Sequence, residues 1–210
     1  MRPDEAKHKP WPPSGLYVLT AEVADLLPRA EQVLEAGAQA LQYRDKSGNA
    51  TLRLQQAAAL RRLTARYGAR LIINDDVELA AAVGADGVHL GRDDGPVERA
   101  RRRLGPQAVV GVSCYDDLQR AARLAAAGAD YLAFGRLFPS STKPEAPSCP
   151  LDRLTQARAF GLPLVAIGGI HPANAARALA AGADWLAVSA SVFLADDPAA
   201  ATRALLRAWR

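Results

Sequence analysis

Lysine is scarce in this chain. Of 26 basic side chains only four are lysines, Lys7, Lys9, Lys46 and Lys143, and two of those lie close to the N-terminus. Arginine carries the remaining positive charge, so Lys46 and Lys143 call for a local reason. Histidine is limited to His8, His89 and His171, and aromatic residues make up only 6%. Two cysteines, Cys114 and Cys149, do not suggest a disulfide framework or a metal knuckle and read as reduced thiols. No stretch approaches the roughly 18 apolar residues of a membrane span. Residues 1–13 are polar and proline-rich, without the apolar core of a signal peptide. A flexible tail over residues 1–14 and a cytoplasmic protein with no membrane partner are therefore expected. The basic clusters Arg61-Arg62 and Arg101-Arg102-Arg103 lack interleaved aromatics, so the net charge of +4 points to small anions and away from nucleic acid.

What is present is a regular alternation. Short runs rich in Val, Ile, Leu and aromatics predict strands near 16–19, 40–44, 71–74, 87–90, 109–112, 131–134, 164–167 and 185–188. Segments of helical period fill the intervals, near 24–36, 50–66, 76–83, 95–104, 115–127, 151–159, 172–181 and 198–209. Four helix-to-strand junctions repeat one phrase, at Ala36-Gly37-Ala38, Gly84-Ala85-Asp86, Gly128-Ala129-Asp130 and Gly182-Ala183-Asp184, where the glycine suits a left-handed helix stop. A chain of 210 residues supports one sizeable core. Eight strand–helix units in it predict an α/β fold, a single-domain (β/α)8 TIM barrel over residues 15–210. An open doubly wound sheet is the structural alternative, but no Gly-x-Gly-x-x-Gly follows the first strand.

In such a barrel the active site forms where the strands end. Two consecutive strands end in carboxylates, Asn74-Asp75-Asp76 and Arg92-Asp93-Asp94. Neighbouring strands lie about 4.8 Å apart, so one carboxylate from each pair can reach a common ion. Mg²⁺ is commonly held by one or two carboxylates together with waters and substrate phosphates. Asp is also a preferred helix N-cap. Asp75 and Asp94 are assigned to the ion, Asp76 and Asp93 to their helices, and Asn74 to the ligand. Gln42, Arg44 and Lys46 alternate along the end of strand two and share one face, a basic comb suited to phosphate oxygens. The loop Ser140-Ser141-Thr142-Lys143 offers three hydroxyls beside a lysine. Gly168-Gly169 and Val188-Ser189 follow strands seven and eight, where barrels frequently bind phosphate through the main chain. His89 reads as a hydrogen-bonded barrel histidine and His171-Pro172 as a helix entry.

Taken together, Gln42-Tyr43-Arg44-Asp45-Lys46, Asn74-Asp75-Asp76, His89 through Asp94, Gly111-Val112-Ser113, Phe138 through Lys143, Gly168-Gly169 and Val188-Ser189 resemble the thiamine phosphate synthase family over residues 15–194. The resemblance implies a (β/α)8 transferase of thiamine biosynthesis that joins an aminopyrimidine diphosphate to a thiazole phosphate and releases diphosphate. It implies that Gln42, Tyr43, Arg44, Asp45, Lys46, Asn74, Ser113 and Lys143 bind the pyrimidine diphosphate, with Arg44, Lys46, Lys143 and Ser113 in the catalytic set. Ser140, Ser141, Thr142, Gly169, Val188 and Ser189 would bind the thiazole phosphate, and Asp75 and Asp94 would bind Mg²⁺. The expected partners are small phosphorylated molecules, with a possible homodimer. Three positions depart from the usual pattern: Tyr43 for an aliphatic residue, Arg92 for Gln, and Ser140-Ser141-Thr142 for Thr-Pro-Thr. A thiazole tautomerase-like relative is the nearest alternative. It would be expected to lack the full acidic pair and the loop lysine, and to carry a histidine where this chain has Tyr115. A Schiff-base aldolase is weighed against by the anions beside Lys46 and Lys143, which would keep both ammonium groups charged.

Overall fold

The computed structural model describes residues 11–139 and 147–209. Eight parallel strands close in sequence order into a barrel. They are β1 (Gly15–Leu19), β2 (Ala40–Tyr43), β3 (Arg70–Asn74), β4 (Gly87–Leu90), β5 (Val109–Tyr115), β6 (Tyr131–Phe134), β7 (Leu164–Ile167) and β8 (Trp185–Val188). Around them run α1 (Leu26–Glu35), α2 (Ala50–Arg66), α3 (Val77–Val83), α4 (Val97–Leu104), α5 (Leu118–Ala126), α6 (Asp152–Ala157), α7 (Ala175–Ala180), α8 (Ala190–Phe193) and α9 (Pro198–Leu206). The expected fold is the observed one. The short α8 was not anticipated: four residues carry too little periodicity to register as a helix.

Both faces of the strands are buried, which is why they read as nearly continuous apolar runs. Alternation along each strand divides the core in two. Leu16, Val18, Leu41, Tyr43, Leu71 and Ile73 face the helices. Tyr17, Leu19, Ala40, Ile72, Tyr131 and Trp185 face inward. The same parity carries past the last apolar residue of each strand and decides which polar groups reach the barrel mouth.

The N-terminal end of the barrel is closed by aromatic rings. Trp11 is 4% exposed. Its ring centroid lies 4.4 Å from Trp185, 4.6 Å from Tyr131 and 5.4 Å from Tyr17. Trp185 Nε1 donates to the Pro12 carbonyl at 2.8 Å. The expectation of a loose tail through residue 14 is thus corrected for Trp11 and Pro12: a large apolar ring beside an open barrel end is driven into it by burial. Gly111 makes room for this floor, since a Cβ there would lie 1.9 Å from the Tyr131 ring.

The repeated junction phrase has two working parts. Gly37, Gly84, Gly128 and Gly182 adopt φ of 106°, 62°, 91° and 111°, values that favour glycine. The following aspartates then grip the start of the preceding strand. Asp86 accepts from Leu71 N at 2.8 Å, Asp130 from Val110 N at 2.6 Å, and Asp184 from Leu164 N at 2.8 Å. Each is also paired with arginine: Arg61 and Arg70 on Asp86, Arg101 on Asp130, Arg158 on Asp184. At the first junction Gln39 Oε1 does the same for Leu16 N at 2.7 Å.

Candidate active site

At the opposite end, the strand termini enclose a cavity of about 750 Å³. Strand parity sends Gln42, Arg44 and Lys46 into it. The comb is pinned by the loop after β1: Arg44 N donates to Thr20 Oγ1 at 3.0 Å, and Lys46 N to Glu22 Oε1 at 2.8 Å. Tyr43 and Asp45, placed by the resemblance in the pyrimidine set, do not join them there. The Tyr43 side chain lies in the outer core, where its hydroxyl donates to Gln56 Oε1 at 2.7 Å. Asp45 accepts from Ser47 N at 2.8 Å and so shapes its own loop. It faces a smaller annex of about 300 Å³ beside Asp75 and Asp94.

The two acidic pairs divide by geometry. Asp76 Oδ1 accepts from Leu79 N at 2.9 Å and caps α3, while Arg53 holds its other oxygen at 2.9 Å. Asp75 takes φ +65°, a left-handed conformation that turns its side chain away from that cap. Its Oδ2 accepts from Asn74 Nδ2 at 2.6 Å and from Lys46 Nζ. Asp94 Oδ2 accepts from Gly91 N at 2.7 Å. Burial opposes ionisation of Asp75, but hydrogen bonds from Lys46 and Asp94 outweigh it and hold the carboxyl below the ordinary range. Burial and the neighbouring Asp75 push Asp94 above it. The two carboxyl groups are hydrogen-bonding neighbours. Asp93, expected as a helix cap, is not one: α4 begins later, at Val97, with Pro96 at the capping position. Asp93 is exposed at the cavity rim.

On the far side of the cavity, Gly168 and Gly169 adopt φ +100° and +65°. A Cβ on Gly169 would lie 2.2 Å from the Pro139 carbonyl oxygen, so only glycine allows the turn to pack under the β6 loop. Gly169, Val188 and Ser189 all line this side, with α8 starting directly after Ser189. Ser113 closes the floor between the two sides. Ser140, Ser141, Thr142 and Lys143 lie outside the described residues.

Several cavity residues were not singled out from the sequence. Tyr17 enters from β1 and Arg136 from the segment after β6. The signal for Tyr17 was its inward parity; that for Arg136 was a charge just beyond an apolar strand end. Tyr115, at φ +60°, carries the Arg92 guanidinium 4.8 Å from its ring centre and that of Arg120 at 5.9 Å. Arg120 also donates to the Ser113 and Gly91 carbonyls at 2.8 and 3.0 Å, tying the ends of β4 and β5 together. A cation-flanked phenol at this position is no substitute for an acid–base histidine.

A family model described as thiamine monophosphate synthase matches residues 16–192. The chain belongs to that family. It is 57% identical over 194 residues to the thiamine-phosphate synthase of Chromobacterium violaceum, covering 91% of this chain and 94% of the relative. The thiamine-phosphate synthase of Halorhodospira halophila is 53% identical over 198 residues, covering 94% and 95%. Among solved structures, a thiamine phosphate pyrophosphorylase from Pyrococcus furiosus superposes with a TM-score of 0.85 at 36% identity, covering 92% of this chain and 94% of that one. The chain is an enzyme of the transferase class, and the family resemblance read from its motifs holds. Among the described residues no helix is long and apolar enough to cross a membrane.

Proposed function

We propose that the protein condenses 4-amino-2-methyl-5-(diphosphooxymethyl)pyrimidine with 4-methyl-5-(2-phosphooxyethyl)thiazole, giving thiamine phosphate and diphosphate. The observation that carries the reading is the meeting of Arg44, Lys46, Asn74, Asp75 and Asp94 at one wall of a single cavity, opposite the Gly168-Gly169 turn. Gln42, Arg44, Lys46, Asn74, Ser113 and Lys143 serve the pyrimidine diphosphate. Gly169, Val188 and Ser189, with Ser140, Ser141 and Thr142, serve the thiazole phosphate.

Asp75 and Asp94 fit Mg²⁺. Both offer hard oxygens, and the Lys46 ammonium against Asp75 marks the spot as one that attracts a cation. An ion held by two carboxylates would take its other ligands from water and substrate phosphates. When bound, Mg²⁺ supplies positive charge to the oxygens of the diphosphate.

The chemistry asks little covalent work of the chain. The amino group of the ring stabilises positive charge at the exocyclic methylene, so the carbon–oxygen bond breaks with both electrons leaving on diphosphate. The thiazole nitrogen already carries a lone pair and needs no base. The protein's task is to hold the two reactants in line and to meet the growing negative charge with Arg44, Lys46 and Lys143. The backbone anchors from Thr20 and Glu22 fix the strand end that carries Arg44 and Lys46 at the cavity wall.

The test is direct. Purified protein is mixed with both substrates, with Mg²⁺ and with chelator. Thiamine phosphate is expected with Mg²⁺ and little or none under chelation. No product in either condition overturns the reading.

A further inference from the structure

Between the aromatic floor and the cavity, one chain of hydrogen bonds joins two side chains on different strands. Gln42 Nε2 on β2 donates to Tyr17 Oη on β1 at 2.6 Å. Tyr17 Oη lies 3.1 Å from Tyr131 Oη on β6. Tyr131 Oη lies 2.9 Å from His89 Nδ1 on β4, and His89 Nε2 lies 2.9 Å from Ser113 Oγ on β5. Tyr17, Gln42, His89 and Tyr131 are all buried, and Ser113 is half-buried at the cavity floor.

Counting protons leaves this chain two self-consistent directions, and the orientation of the Gln42 amide selects one of them. A phenol has one proton to donate. With Gln42 Nε2 as the donor, Tyr17 Oη accepts the amide and passes its own proton to Tyr131. In that direction Tyr131 donates to His89 Nδ1, the lone-pair nitrogen of a neutral imidazole. The remaining ring proton sits on Nε2 and is donated to Ser113 Oγ. The serine's own proton is left for the cavity, and the Gln42 carbonyl oxygen is left as an acceptor. Burial raises both phenols above their ordinary range, so neither loses the proton the chain requires.

We propose that this relay sets the hydrogen-bonding polarity of the pyrimidine pocket: Gln42 Oε1 accepts and Ser113 Oγ donates, selecting a 4-aminopyrimidine over its 4-oxo counterpart. The amino ring presents an exocyclic N–H beside an acceptor nitrogen. The oxo ring presents an oxygen beside a ring N–H, which reverses both roles. Sites built around buried polar groups reject such mismatches strongly, because the wrong partner leaves those groups unpaired. Tyr17, Tyr131 and His89 are positioning residues that act through Gln42 and Ser113. The inference rests on the function proposed above.

Two measurements test it. The first is the tautomer of His89 in the whole protein without substrate, read from ¹⁵N shifts. The chain has three histidines, and His89→Gln identifies the signal by its loss. The Nε2–H form is expected near neutral pH; the Nδ1–H form, or a mixture, overturns the proposed polarity. The second is the ratio of kcat/KM for the 4-amino and 4-oxo pyrimidine diphosphates in wild type and Tyr131→Phe. The variant keeps the ring that packs on Trp11, and the intrinsic reactivities of the two substrates cancel in the comparison. The preference is expected to fall at least tenfold, about 1.4 kcal/mol, with the thiazole phosphate KM within about twofold of wild type. An unchanged preference overturns the proposal, and so does a parallel rise in both substrates' KM, which would make Tyr131 merely structural. Absence of turnover with either pyrimidine in the wild type would count against the proposed function instead, and the tautomer would still decide the relay.

Discussion

Asp75 is held at φ +65° beside Lys46, Asn74 and Asp94, and that conformation makes two of its substitutions separable. Asn tolerates left-handed backbone, whereas a Cβ-only side chain there costs roughly 1–2 kcal/mol. Asp75→Asn is therefore expected to melt close to wild type yet lose about a hundredfold or more in turnover, because the charge that would face the proposed Mg²⁺ is gone. Asp75→Ala should lose both. Asp94→Ala should lose turnover to a similar degree. Steady-state rates across a Mg²⁺ series, beside thermal melts, check all three, and near-wild-type rates in any of them would remove that carboxylate from the proposed ion site. The thiols give a second prediction at this scale. Burial pushes Cys114 and Cys149 up to about 12, and both are fully enclosed. Neither should react with iodoacetamide at pH 8 until the protein unfolds, as mass spectrometry across a urea series would show.

At the scale of elements, the junction aspartates matter more than the glycines that announce them. Asp130 accepts from Val110 N and pairs with Arg101, so its removal leaves a strand N–H and a guanidinium short of their partner. Asp130→Ala is expected to cost about 1–3 kcal/mol, read as a lower denaturation midpoint with unchanged KM values, since this end of the barrel is remote from the cavity. A normal midpoint would mean that water replaces the carboxylate at no loss. The repeat was legible in the sequence as a glycine stop. The role of its aspartate was not, because a hydrogen bond back to the preceding strand has no signature in local spacing.

For the whole molecule, the barrel is a stack of floor, relay and cavity, and Trp11 is its lowest layer. Trp11→Ala removes a ring packed on Tyr17, Tyr131 and Trp185. Such truncations cost about 3–5 kcal/mol, which for a protein of this length lowers the thermal midpoint by roughly 6–20 °C. A shift under about 2 °C in a calorimetric scan would show that the floor closes without it.

The sequence by itself determined the number and order of the strands, the family, and the strand ends at which polar residues gather. Period-two and helical patterns are local, and motifs such as Asn74-Asp75-Asp76 lie within a few residues of one another. Only the tertiary structure decided which members of those motifs share a space. Gln42, Arg44 and Lys46 turn into the cavity while Tyr43, in the same motif, turns out to the helices. Asp76 caps a helix and Asp93, its apparent counterpart, does not. Tyr17, Tyr131, His89 and Ser113 come from four different strands and meet because the sheet closes. Closure is a property of all eight strands together, so the contacts it creates across the barrel appear only in three dimensions.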